Sequence, residues 1–346
     1  MSVKKCFKIL GMIGSFIFVT IVAVLLTLVL VINSFCNGQS TKARELFVTT
    51  FLETGQMKFI VSWFLKPEEI QKVVESNSLK AMNAEINTEL INIEENNKKG
   101  IEVFEISGSG FYAKMLVIHD PSTISLATTY PWSEYGIELD KLVTKAGAIA
   151  GVNGGLYESS GNKGGRPIGV AVSNGEIQHL RVWKNAGLHL IGLDNNNILR
   201  IIDISVMSNN EVRKLIEEEG IRDAVCFQDE TTDKNNHFVK LIINGEKREL
   251  NGLGSGANPR TAIGQREDGS ILLLVTDGRG ANGHLGATAS DLIDIMSEYG
   301  AVNAANIDGG SSSSMYYNNE YLMTSVTLYY SNSSWRLPTA FVVKEK

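Results

Sequence analysis

Proline and cysteine are both scarce in this chain of 346 residues, with six and three copies. Cys6 and Cys36 flank the N-terminal apolar run and only Cys226 stands in the body, so no disulfide can close within the body. An exported domain held without disulfides suits a bacterium better than a eukaryotic secretory pathway. Basic residues are also in deficit. Lys and Arg total 32 against 38 Asp and Glu, a formal net charge of −6, which argues against a dedicated nucleic-acid binder with a basic face. No G-x-S-x-G elbow supports a serine hydrolase. The five histidines, His119, His179, His189, His237 and His284, show no H-E-x-x-H or other metal-ligand spacing. No repeat of solenoid period occurs, and the only low-complexity tract is Ser311–Ser314. Glycine is plentiful at 33, which suits an ordered fold rich in tight turns.

Charge is missing altogether from Ile9 to Ile32, directly after Lys4, Lys5 and Lys8. As a helix such a run spans about 36 Å, enough to cross a bilayer with some tilt. The flanking lysines predict a cytoplasmic tail over residues 1–8, a transmembrane signal anchor over 9–32, and an exported body. A cleaved signal peptide is the rival. The run is long for one, and no A-x-A site follows. Residues 33–100 read as an extracytoplasmic helical stem and linker. Within it Thr41–Ser78 is helical and aromatic-rich, with Phe47, Phe51, Phe59, Trp63 and Phe64 expected to pack on each other or on the body. Asn83–Gly100, with Glu94, Glu95, Lys98 and Lys99, reads as a polar linker. A single globular domain is expected over 101–346.

Short β-type runs dominate that domain: Ile101–Ser107, Ala113–His119, Thr123–Thr128, Ala148–Val152, and a meander of Val170–Val172, Glu176–Leu180 and Gly187–Gly192. Ala224–Gln228, Val239–Asn244 and Ala340–Val343 continue the pattern, and Leu139–Lys145 and Asn209–Glu219 read as helices. Elements are mixed without strict βα alternation, which predicts an α+β fold, a mixed sheet with helices.

One stretch concentrates chemistry. Ile271–Thr276 and Val302–Ile307 are apolar runs that each end in Asp-Gly, and between them Ser290–Tyr299 has helical period, with Thr288 as N-cap and Asp291 three residues on. A βαβ unit would bring Asp277 and Asp308 to one sheet edge. Arg260 and Arg279 are suited to gripping a phosphate bidentately. The backbone of Asp308-Gly309-Gly310-Ser311 could form an anion nest. Asn153-Gly154-Gly155 is a third polar loop after a buried strand, where Asn153 either orients substrate or caps a turn. The carboxylates can act as nucleophile, base or metal ligand. Gly278–Gly283 also matches G-x-G-x-x-G. Its helix starts several residues late and an exported domain meets little NAD, so the match is taken as fortuitous.

Taken together, GVNGGLY (151–157), NPRTAIG (258–264), DGRG (277–280), GATASDLIDIM (286–296), NIDGGSSSSM (306–315) and WRLPTAFVV (335–343) resemble the phosphodiester glycosidase family, whose bacterial members are often labelled exopolysaccharide-biosynthesis related. The resemblance runs from about Ile101 to the C-terminus, and the stem ETGQMKFI (53–60) looks like that of membrane-anchored Gram-positive members. It implies hydrolysis of a sugar-1-phosphodiester between the anomeric carbon and the phosphate oxygen. Asp308 is implied as first choice for nucleophile or base and Asp277 as second, with Arg260 and Arg279 on the phosphate. Asn153, Gly154, Gly309, Gly310 and Ser311 would hold phosphate or sugar hydroxyls. His284, Thr261 and Asp291, which stands where the family often has Glu, are further possibilities. No cofactor is required on this reading, while a divalent metal stays open. The expected partners are the membrane and a glycosyl-phosphodiester or surface phosphopolysaccharide, at the outer face of a cell membrane crossed once. A metal-dependent phosphodiesterase and a non-catalytic phosphoglycan-binding module are the alternatives.

Overall fold

The computed structural model describes residues 3–54, 57–93, 99–231, 236–325 and 333–345. Helix α1, Val3–Asn37, carries an apolar segment from Phe7 to Asn37 that is long enough to cross a membrane and whose most apolar stretch is not buried. Three short helices follow: α2 (Thr41–Leu52), α3 (Phe59–Ser62) and α4 (Pro67–Ser76). Ser40 caps α2 by accepting from Ala43 N–H. Pro67 opens α4, where Glu69 accepts from the Lys66 N–H. Val48, Leu52, Val61, Leu65 and Val74 form a small core that also takes in Cys36 at the end of α1. Phe47, Phe51 and Phe64 pack against it, whereas Phe59 and Trp63 pack on each other, 4.9 Å between ring centroids, and stay exposed.

The body is α+β, with three larger sheets around one core. A seven-stranded sheet runs in the order Ile101–Ser107, Tyr112–Ile118, Ile271–Thr276, Thr261–Arg266, Ala301–Ile307, Lys240–Ile243, Glu246–Lys247. A five-stranded sheet orders Leu199–Asp203, Leu188–Asp194, Ile221–Gln228, Gly169–Ser173, Glu176–Arg181. The third orders Glu320–Thr324, Ser314–Tyr317, Ala150–Asn153, Thr339–Val343, Ile124–Thr128. All neighbours in these sheets are antiparallel.

Strand alternation explains the layering. Leu116, Leu273, Ile191, Val225, Val152 and Phe341 point into the shared core. Their neighbours in sequence point outward, and each outer face is covered by one helix. Met115, Leu272 and Leu274 meet Leu292 and Met296 of α7 (Ala289–Glu298). Leu188, Leu190 and Cys226 meet Val212 and Ile216 of α6 (Asn209–Glu218), and Ala340 and Val342 meet Leu139 and Leu142 of α5 (Leu139–Lys145). Burial on both faces is why these strands read as continuous apolar runs.

Two expectations are corrected. The strands ending at Asp277 and Asp308 are not adjacent. The Thr261–Arg266 strand lies between them, antiparallel to both, so they are parallel to each other at one remove. The Leu188–Asp194 strand does not continue a meander from Glu176–Arg181, because Ile221–Gln228 and Gly169–Ser173 separate the two. The described part of the supposed linker is bound to the body. Lys240 Nζ donates to the carbonyls of Met82 and Ala84, Asn87 N–H donates to Asn244, and Asn92 N–H donates to the Glu267 carbonyl. Its Glu94, Glu95 and Lys98 lie outside the described residues.

Candidate active site

Three strand ends build the site. Thr261 is paired with both Val275 and Ile307, so the start of its strand lies at the edge where the outer two finish. Arg260 is thereby set among the approaches to Asp277 and Asp308. The inserted strand accomplishes what the expected crossover would have done, and adds the arginine.

Asp308 is a strongly perturbed carboxyl at this edge. It keeps some solvent access, yet protein surrounds it closely, and burial pushes its carboxyl up to about 7. The Ser312 hydroxyl, the Gly309 N–H and the charge of Arg279 oppose that rise without cancelling it. Arg279 is anchored by a 2.6 Å hydrogen bond from Nη1 to Ser311 Oγ, while its Nε is buried with no partner among the described residues. Burial, helped by the nearby Arg260, draws its guanidinium below the usual range, and Asp308 pulls the other way. Arg279 also holds a left-handed backbone (φ 55°), uncommon outside glycine. Gly310 (φ 62°) lies against it, and a Cβ there would come within 2.7 Å of Arg279 Nη2.

The Asn153 loop supports the Asp308 turn. Asn153 Nδ2 donates to the Asp308 main-chain carbonyl at 2.6 Å, and its Oδ1 accepts from Thr261 Oγ1 at 2.7 Å and Ser314 N–H at 3.2 Å. Tyr157, four residues on, puts its hydroxyl 3.1 Å from Ser312 Oγ; burial and the Asp308 charge raise the phenol. Several backbone donors of the expected nest are already engaged. Gly309 N–H is turned to the Asp308 carboxylate, Gly310 N–H donates to the Pro259 carbonyl, and Gly154 N–H to that of Thr339.

Asp277 has both oxygens occupied. Oδ1 accepts from Tyr112 N–H at 2.7 Å, and Oδ2 pairs with His284 Nδ1 at 2.7 Å. Asp291 is spent on the cap of α7, where Oδ2 accepts from the Thr288 N–H and hydroxyl.

Arg260 has a partner that the sequence reading missed. Its Nη2 forms a short ion pair with Glu53 at the end of α2 and also donates to Ser255 Oγ and the Gly256 carbonyl, while Nε donates to the Ala287 carbonyl. Glu53 is sealed, its side chain 2 % exposed, and burial raises its carboxyl against the pull of Arg260. Phe238 lies under the guanidinium, 4.9 Å away, and His237 nearby is pushed down to about 4 by burial and the charges of Lys58 and Arg260. Glu53, Tyr157 and Ser312 are the additions to the expected set. The first two stand at the ends of ETGQMKFI and GVNGGLY, and Ser312 lies inside the serine run. Among the described residues no three His, Cys, Asp or Glu side chains are grouped to hold a metal.

The phosphodiester glycosidase family model matches residues 146–344, more than half of the chain, and the protein belongs to that family. The catalytic domain of zebrafish N-acetylglucosamine-1-phosphodiester α-N-acetylglucosaminidase, solved in a form auto-inhibited by its pro-peptide, shares the fold. Its TM-score is 0.52 at 17 % identity, over 74 % of this chain and 87 % of that one. A putative exported protein of Burkholderia pseudomallei gives a TM-score of 0.43 at 16 % identity over 68 % and 74 %. In sequence, the SPbeta prophage-derived uncharacterized protein YomE of Bacillus subtilis is 38 % identical over 65 residues, which are 19 % of this chain and 10 % of that protein.

Proposed function

We propose that the protein hydrolyses a sugar-1-phosphodiester at the C1–O bond, acting on a glycan or phosphopolymer at the outer face of the membrane that holds α1. Family membership supports the reaction class. The observation that carries it to this site is Asp308, a carboxyl raised to about 7 beside the anchored cation of Arg279. Arg279 and Arg260 receive the phosphate and stabilise the charge that collects on it. The bond between the anomeric carbon and the phosphate oxygen breaks, and the phosphate monoester departs with the electron pair. Asp308 as carboxylate either attacks that carbon or takes a proton from the water that does; the products are free sugar and phosphate monoester. Asp277 holds His284 in place, and Asn153 with Thr261 holds the Asp308 turn.

Anchoring and sidedness are supported by the uncharged run of α1 and the lysines that precede it. The test is turnover of a synthetic N-acetylglucosamine 1-(methyl phosphate), and of other sugars in the same form, in ¹⁸O-water with and without EDTA. The expected result is label in the sugar under both conditions. Label in the phosphate that vanishes with EDTA would replace this reading with a metal-dependent phosphodiesterase. Binding of every sugar without turnover would favour a phosphoglycan-binding module.

A further inference from the structure

We propose that Glu53, carried by the stem and not by the family domain, is a positioning residue of the active site that holds Arg260 and balances its charge. This rests on the hydrolase reading of the same site. The contact is built and not incidental. Besides Arg260, Glu53 accepts from Gly256 N–H at 2.9 Å and from the side-chain amides of Asn236 and Asn258 at 3.2 and 3.3 Å. Thr50 and Thr54 flank it, the first accepting from Ala257 N–H and the second donating to Asn258 Oδ1. The two backbones meet so closely that a Cβ on Gly256 would lie 2.3 Å from Thr50 N. Asn258 and Arg260 belong to one loop, and Pro259 between them accepts from Gly310 N–H, so the stem grips the segment on which the Asp308 turn rests.

Charge supplies the reason. Arg260 and Arg279 are close enough to repel, and each has an acid beside it, Glu53 for the first and Asp308 for the second. Two unbalanced guanidinium groups would hold the phosphate monoester after bond breaking, and slow release of that product lowers turnover. Glu53 takes Nη2 of Arg260, while Nη1 has no hydrogen bond among the described residues. The pair therefore fixes the orientation of the clamp and limits its pull.

The test uses the full chain in detergent, with inorganic phosphate as the binding probe. In Glu53→Gln, phosphate should bind about tenfold more tightly, since a neighbouring carboxylate has been neutralised in a poorly solvated site. On the sugar-1-phosphodiester, kcat and KM should fall together by about tenfold. Placed on an Arg260→Gln background, the same change should shift phosphate binding by less than about threefold, because the effect runs through the arginine. Unchanged or weaker phosphate binding, with only the melting temperature lowered, would reduce Glu53 to a structural contact and overturn the proposal. So would a rise in kcat/KM at unchanged kcat, which marks a carboxylate that merely competes with substrate. Should Glu53→Gln not fold, Glu53→Asp keeps the charge but withdraws it by one methylene. It should tighten phosphate by about threefold, and no change overturns the assignment. Absence of turnover by the unaltered chain would count against the hydrolase reading alone, with the phosphate titration still deciding this one. If the unaltered chain binds no phosphate, there is no clamp for Glu53 to position.

Discussion

Replacing Asp308 with asparagine separates two effects of one carboxyl. In the unfolded chain this group has its ordinary value, 3.8, and in the folded chain about 7. Below about pH 4 it is protonated in both states, and the stability linked to that proton is fully present. As pH rises through 7 the folded chain has to ionise it in a poorly solvated place, and that stability is lost. The interval corresponds to at most about 4 kcal/mol, and partial solvent access reduces the realistic figure to about 1–3 kcal/mol. Asp308→Asn is therefore expected to raise the melting temperature at pH 8, and much less at pH 5, while lowering kcat by about a thousandfold or more. In the unaltered enzyme, kcat/KM should climb with pH along a limb centred near 7, because the carboxylate is the working form. Thermal melts at the two pH values and a pH–rate profile check both halves. A variant destabilised at pH 8 would mean that the carboxylate is held by partners and not strained by burial.

Among the elements, the Thr261–Arg266 strand shows where the sequence was legible and where it was not. Ile101–Ser107, Leu139–Lys145 and Ile271–Thr276 fall where period and turn residues place them. Both Asp-Gly pairs do leave one sheet edge. The order of strands was hidden, because an all-apolar run buried on both faces is compatible with several neighbours, and NPRTAIG carries no mark of lying between the other two. The helix after the DGRG loop was readable down to its cap: Thr288 and Asp291 form the capping box that their spacing predicts. That geometry also assigns Asp291. Its alanine variant is expected to cost about 1 kcal/mol of stability, as cap losses do, with kcat/KM within about twofold. Denaturant unfolding beside steady-state kinetics checks this. A loss of turnover larger than the loss of folded protein would return Asp291 to the site.

On the scale of the whole molecule, the stem is bonded to the body at several points. Leu79 pairs with Leu250, Lys80 N–H donates to the Glu249 carbonyl, Lys240 is held by the carbonyls of Met82 and Ala84, and Glu53 neutralises Arg260. No sequence period could announce a partner some two hundred residues away, since an ion pair of that kind leaves no local pattern at either end. Its removal has a definite consequence. A buried arginine stripped of its carboxylate costs about 3–5 kcal/mol, a large share of the margin of an ordinary domain. A chain starting at Ile101 is thus expected to melt well below one starting at Gly38, which keeps α2 to α4 and sheds the apolar helix. It should also lose turnover even where it remains folded, because Arg260 then lacks the carboxylate that orients it. Melting curves and active-site titration of the two truncated chains distinguish these effects. Equal stability and equal turnover would show that residues 101–346 are self-sufficient and that the stem is only a tether.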